Sequence, residues 1–267
     1  MTNWPAHIEL ENSRIYVDVR GTGDAVVLLH GLAFDQRTWD DQMGPLSEHY
    51  RVVRIDFHGF GKSSEVRGPY SHAAIVRELM DRLEIERAHI VGHSMGGRIG
   101  AEFVQSFAHR AKSLTLVCSD VAGLPFKTLG PLFGQIFEAG GRGDVAAAKR
   151  LFLGLECFEP LRRRPEAHAR VLRMVEEYSG WLFCNVRDNP ERRPQPATAE
   201  VLADFRLPVL VVVGESDAAD FREIGDEVVR RVPGAKQCVV ANAGHIPNLE
   251  QPEEFNRVLL EFLDANG

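Results

Sequence analysis

The stretch Ala88-His89-Ile90-Val91-Gly92-His93-Ser94-Met95-Gly96-Gly97 decides how the rest of the chain is read. Its first four residues predict a short buried strand. Ile99, Phe103 and Phe107 then fall at i, i+4 and i+8, which predicts a helix directly after the glycines. Gly92-His93-Ser94-Met95-Gly96 is therefore a G-x-S-x-G pentapeptide between strand and helix, the setting in which that motif presents a serine nucleophile. Glycines on both sides of a tight, strained turn leave room for neighbouring backbone. The helix N-terminus beneath Ser94 favours developing negative charge, and Gly97 gives space for close packing of helix on sheet.

Working outward, apolar runs alternate with helix-period segments, the pattern of a parallel sheet covered by helices. Strands are predicted at His7–Leu10, Arg14–Val19, Ala25–Leu29, Arg51–Ile55, Ala88–Val91, Ser113–Val117, Pro208–Val213 and Lys236–Val240. Runs such as VVLL and VLVVV are short and rich in β-branched residues, which favours buried strands. Ile75, Leu79 and Leu83 mark one helix, with Ser71 placed to cap it. Phe255, Val258, Leu259 and Phe262 mark another, with Pro252 in its first turn. From Val121 to Phe205 the alternation stops, leaving short helical patterns broken by Gly and Pro. A segment this long is not one loop. It reads as a helical cap over the carboxyl edge of the sheet, where open α/β sheets bind ligands.

Ser94 needs a base. His245 follows a predicted strand inside the loop Ala243-Gly244-His245-Ile246-Pro247, placed to bring its ring to the serine oxygen. His93 is too close along the chain to serve Ser94, and His30 is better suited to fixing the loop after its own strand. Asp217, in Gly214-Glu215-Ser216-Asp217 after VLVVV, is the expected acid that orients His245. Asp220, Glu215 and Asp120 are the alternatives. The order Ser94, Asp217, His245 fits one triad fold and not the others. The oxyanion hole is expected from the backbone N–H groups of Met95 and Leu32. Leu32, His93, Phe133, Phe137, Trp181 and Ile246 are the candidate substrate contacts, and Leu132 and Phe152 are further candidates for an apolar pocket wall.

With 267 residues the chain is long enough for one α/β domain with an insertion, or at most two small domains, and large enough to bury a core without disulfides or metal. The net charge of −7 is spread along the chain and argues against a nucleic-acid partner. Four separated cysteines show no zinc spacing, and no cofactor or metal is expected. The N-terminus lacks a secretory pattern and no run of about 20 apolar residues occurs, so a cytoplasmic protein without membrane contact is expected. The arginine run 162–164 reads as a solvated face.

The segments LLHGLAFDQRTW (28–39), RIDFHGFGKSS (54–64), VGHSMGG (91–97), VVVGESD (211–217) and NAGHIPNLEQPEEF (242–255) together resemble the α/β-hydrolase superfamily. Within it the chain is similar to small bacterial esterases, enol-lactonases and carbon–carbon bond hydrolases. The resemblance implies an α/β-hydrolase fold, a mostly parallel eight-stranded sheet flanked by helices, with a helical cap inserted after the sixth strand. The core is then residues 1–120 and 206–267, and the cap 121–205. It also implies that Asp56, Gly59, Gly61 and Ser63 form a structural loop, while Phe57-His58 departs from the usual residues there.

The function expected is hydrolysis of a small-molecule carboxylic ester, lactone or related acyl substrate through an acyl-Ser94 intermediate, by a monomer or homodimer. The same constellation serves carbon–carbon bond hydrolases, lyases and cofactor-free haloperoxidases. A ligand receptor with slow, single-turnover hydrolysis is the alternative from another class.

Overall fold

The structure, a computed structural model, describes residues 4–267. Eight strands form one sheet: β1 (Ala6–Glu9), β2 (Arg14–Arg20), β3 (Ala25–Leu29), β4 (Arg51–Ile55), β5 (Ala88–His93), β6 (Ala111–Val117), β7 (Val209–Gly214) and β8 (Lys236–Val240). Their spatial order is β1-β2-β4-β3-β5-β6-β7-β8. The β1–β2 and β2–β4 pairs are antiparallel and all others parallel, so the sheet is mostly parallel, as the resemblance implied. Strand β5 runs two residues past the expected end, to His93, and delivers Ser94 directly from the ladder.

Alternation along the central strands sends side chains to two separate cores. In β7, Val209, Val211 and Val213 join one cluster, while Leu210 and Val212 join the other. The second cluster is closed by α1 (Asp40–Ser47) and the C-terminal helix, through Met43, Leu46, Phe255 and Leu259. The first is closed by α2 (His72–Arg82) and α3 (Met95–Phe107). The Ser71 hydroxyl accepts from the Ala74 N–H at 3.3 Å and caps α2, as its position predicted.

Between β6 and β7 lie α4 (Leu129–Gly141), α5 (Val145–Leu153), α6 (Pro165–Glu177), α7 (Trp181–Asn185) and α8 (Thr198–Val201), and no strand occurs there. These helices share the first core: Ile136, Val171 and Phe183 are fully buried in the same cluster as Val27 and Ile90 of the sheet. Burying one such side chain contributes about 2 kcal/mol, so the helical layer is anchored and not loosely tethered. The chain closes with α9 (Ala219–Arg231), α10 (Pro247–Glu250) and α11 (Pro252–Asp264).

Because β3, β5, β6, β7 and β8 are parallel and in register, the loops after them meet at one edge. Leu32, Ser94, Asp120, Asp217 and His245 all belong to those loops.

Candidate active site

Ser94 sits between β5 and α3 with φ +52° and ψ −118°, a backbone state that L-residues rarely adopt. Its N–H donates to Val117 O at 2.9 Å, and its own carbonyl accepts from Gly97 N–H at 2.9 Å. The turn is tight enough that a Cβ on Gly92 would strike Gly96 O, and one on Gly96 would strike Leu29 O. The glycines of the motif are thus required by close backbone approach.

The Ser94 hydroxyl lies 3.1 Å from His245 Nε2, and His245 Nδ1 lies 3.2 Å from Asp217 Oδ2. With Nδ1 carrying the proton toward the carboxylate, Nε2 is left to accept from the serine. Asp217 is fixed by a 2.8 Å bond from Ala218 N–H to its other oxygen. The rival acids are engaged elsewhere. Asp220 accepts from the N–H groups of Lys127, Thr128 and Leu129 at the start of α4, Glu215 accepts from Asn242 N–H, and Asp120 pairs with Arg98.

The loop of His245 is held from several sides. Glu250 accepts from Gly244 N–H and from Ile246 N–H, both at 2.9 Å, and Cys157 O accepts from His245 N–H at 3.1 Å. His93 donates from Nε2 to His245 O at 2.8 Å, and burial holds it well below its ordinary pKa. His30 donates to Gly31 O and accepts from Phe57 N–H, fixing the loop that carries Leu32, and burial lowers it to about 4. Asp56 accepts from Gln36 N–H and Lys62 N–H at 2.8 Å each, the structural role the resemblance implied. His58 is buried and donates to Glu65 O at 2.6 Å. Ligand atoms of Cys118, Asp217 and His245 lie within 4.8 Å of one another. Two of them are committed to the relay, however, and burial pushes the Cys118 thiol well up, so this trio suits a cation poorly.

A cavity of about 550 Å³ opens above Ser94 and His245. Leu32 and Met95 lie in its wall, and among the described residues their N–H groups donate to no protein atom, which leaves both free for an oxyanion. Phe133, Phe137 and Phe152 line it as expected. Three other expected contacts stand elsewhere. His93 is fully buried behind the His245 loop, Ile246 is fully buried within that loop, and Trp181 packs its ring over Gly59. Leu132 faces outward, and Arg162–Arg164 are exposed and away from the cavity. The sequence reading missed Phe126, Phe158 and Phe221 in the wall, and a charged end where Arg98, Glu191 and Arg193 join Asp120, which it weighed only as an alternative acid. Of the three missed charged residues, Arg98 alone left a signal, lying one helical turn after Ser94.

Comparison with known proteins places these features. Residues 26–258 match the profile described as the Alpha/beta hydrolase family. The chain is 28% identical, over 94% of its length and 91% of the other's, to the 2-hydroxy-6-oxononadienedioate/2-hydroxy-6-oxononatrienedioate hydrolase of Burkholderia vietnamiensis. Among solved structures it is similar to an N-acyl homoserine lactone degrading enzyme, with a TM-score of 0.82 and 27% identity over 96% of this chain and 100% of that one. The enol-lactonase of Burkholderia xenovorans shares the fold, with a TM-score of 0.80 at 24% identity over 97% and 100% of the two chains. With a profile match across most of its length and an eight-stranded sheet of this order, the chain belongs to the α/β-hydrolase family.

Proposed function

We propose that the protein is a serine hydrolase that cleaves a carboxylic ester or lactone through an acyl-Ser94 intermediate. The observation that carries this reading is the Ser94–His245–Asp217 relay opening onto an apolar cavity. His245 Nε2 takes the serine proton as Ser94 Oγ attacks the substrate carbonyl. The N–H groups of Leu32 and Met95 stabilise the oxyanion, each worth about 3 kcal/mol. The imidazolium, steadied by Asp217, then gives its proton to the leaving oxygen. A water deprotonated by His245 releases the acid in the second half-reaction. Helices α4 to α8, within residues 121–205, act as the cap that shapes the acyl site over a core of 1–120 and 206–267.

The lactone-degrading activity in the name of the 27%-identical structure supports this reading. A second reading, hydrolysis of a carbon–carbon bond, draws support from the 28%-identical dioate hydrolase. A turnover assay with p-nitrophenyl acetate and butyrate, comparing wild type with Ser94→Ala, tests the first reading. Multiple turnovers that vanish in the variant support it. A folded wild type that releases no nitrophenolate removes it and brings the second forward.

A further inference from the structure

The cavity wall carries a closed circuit of aromatic rings that starts and ends on the candidate base. On one side the Phe221 ring lies 4.0 Å from that of His245, Phe126 lies 5.2 Å from Phe221, and Phe133 lies 5.6 Å from Phe126, centroid to centroid. Phe137 follows 6.2 Å from Phe133, one turn further along α4. On the other side Phe158 lies 5.7 Å from His245, and Phe152 lies 5.1 Å from Phe158. Phe183 closes the circuit, 5.7 Å from Phe152 and 6.4 Å from Phe137. Every one of these rings except Phe183 lines the cavity. Every neighbouring pair except Phe133–Phe137 is tilted or edge-to-face, so the rings fix one another.

The members differ in what they have left to offer. Phe152, Phe158, Phe183 and Phe221 are buried by their neighbours. Phe126, Phe133 and Phe137 are only partly buried, and so keep ring surface uncovered in the cavity they line. We infer that this collar is an acyl site for a flat, neutral aromatic ring, and that the substrates are esters or lactones of aryl-substituted acids. An alkyl chain would gain burial alone there, whereas a ring also matches the faces and edges of the wall. Apart from His245 the circuit is all phenylalanine, so it holds no hydroxyl or indole N–H for a polar group. A cation lodged in it would oppose the imidazolium that His245 has to become. The acyl side is favoured because that group stays on Ser94 through both half-reactions. The alcohol has to leave and water to enter, and the half-exposed Arg193 marks where the cavity meets solvent.

This inference rests on the ester- or lactone-hydrolase reading, and a matched pair of probes separates the two. Ethyl 3-phenylpropionate and ethyl 3-cyclohexylpropionate have the same carbon skeleton and differ only in the aromaticity of the ring. The ring stands two carbons from the carbonyl, so the esters are alike in intrinsic reactivity, and acid release from both is read by pH-stat titration. Wild type is expected to show a kcat/KM about tenfold higher for the phenyl ester, although the cyclohexyl group is the greasier of the two. Phe126→Leu and Phe133→Leu keep apolar bulk and remove a ring, and each is expected to narrow that ratio about threefold or more. A wild-type ratio below about three overturns the inference and leaves the hydrolase reading standing. A ratio unchanged in both folded variants removes the collar as the cause and overturns it too; if neither variant folds, the wild-type ratio decides. Hydrolysis of p-nitrophenyl butyrate but of neither probe overturns the inference alone, and inactivity on all three esters takes down both readings.

Discussion

His93 donates its Nε2–H to the backbone carbonyl of His245 at 2.8 Å, so the residue next to the candidate nucleophile holds the candidate base in place from behind. The ring is fully buried and neutral, and it faces away from the cavity. His93→Phe keeps an aromatic ring and deletes the donor. The His245 ring then loses one fixed point of its loop, and misplacement of a reacting group by about 1 Å can cost a hundredfold. We expect kcat on p-nitrophenyl butyrate to fall about tenfold or more with KM within about twofold. A rise in KM with kcat intact would instead place His93 against substrate.

Glu250 supports the same loop from the other side. Its two oxygens accept from Gly244 N–H and Ile246 N–H, the residues flanking His245, and burial raises its pKa. Glu250→Gln leaves one acceptor and turns an amide donor toward the other N–H, an unmatched pair costing about 1–3 kcal/mol. The expected outcome is a drop in kcat of about tenfold in protein that remains folded by circular dichroism. A lower melting temperature with unchanged kcat in the folded fraction would reduce Glu250 to a purely structural residue.

What the sequence disclosed follows from where its constraints are local. The elbow at Ser94 was legible because its glycines answer to backbone atoms within a few residues or on adjacent strands. The central strands were legible because burial on both faces writes continuous apolar runs, and β2 because Ile15, Val17 and Val19 alternate with polar residues. Choosing Asp217 over Asp220 and Glu215 also depended on the position after β7, although only the fold shows that the other two hold N–H groups of distant loops. The charged end was hidden because Glu191 reaches Arg98 from 93 residues away through an irregular strap. Trp181 was misplaced for a related reason. Residues 121–205 carry helical periodicity, which says which face is apolar and not what that face covers.

Phe137 gives a direct handle on the apolar end of the cavity. It lines the wall, stacks on Phe133 at 6.2 Å and meets Phe183 at 6.4 Å, yet is only partly buried. Phe137→Ala removes ring volume from the site without opening the deep core around Phe183. Longer acyl chains should gain: we expect the kcat/KM ratio of p-nitrophenyl decanoate to butyrate to rise about tenfold, in line with a few methylenes of added burial. A chain-length profile identical to wild type would show that the acyl group does not reach this wall.

The buried histidines set how the fold responds to acid, and His72 shows it most cleanly. Its ring packs against Phe57 at 4.7 Å and Tyr70 at 4.9 Å, and its Nδ1 has no partner. Burial lowers its pKa from 6.5 to about 3, with Glu191 opposing and Arg98 adding to the shift. Between those values the unfolded chain binds a proton that the folded chain refuses. Stability therefore falls as pH drops below 6.5, by about 1.4 kcal/mol per pH unit from this group. His72→Phe removes that proton uptake while keeping a ring of similar shape. Urea denaturation at pH 6 and pH 4 should show wild type losing about 2 kcal/mol more than the variant over that interval. Equal losses in the two proteins would mean that His72 is protonated within the fold, and that the contacts around Phe57 and Tyr70 open to admit the charge.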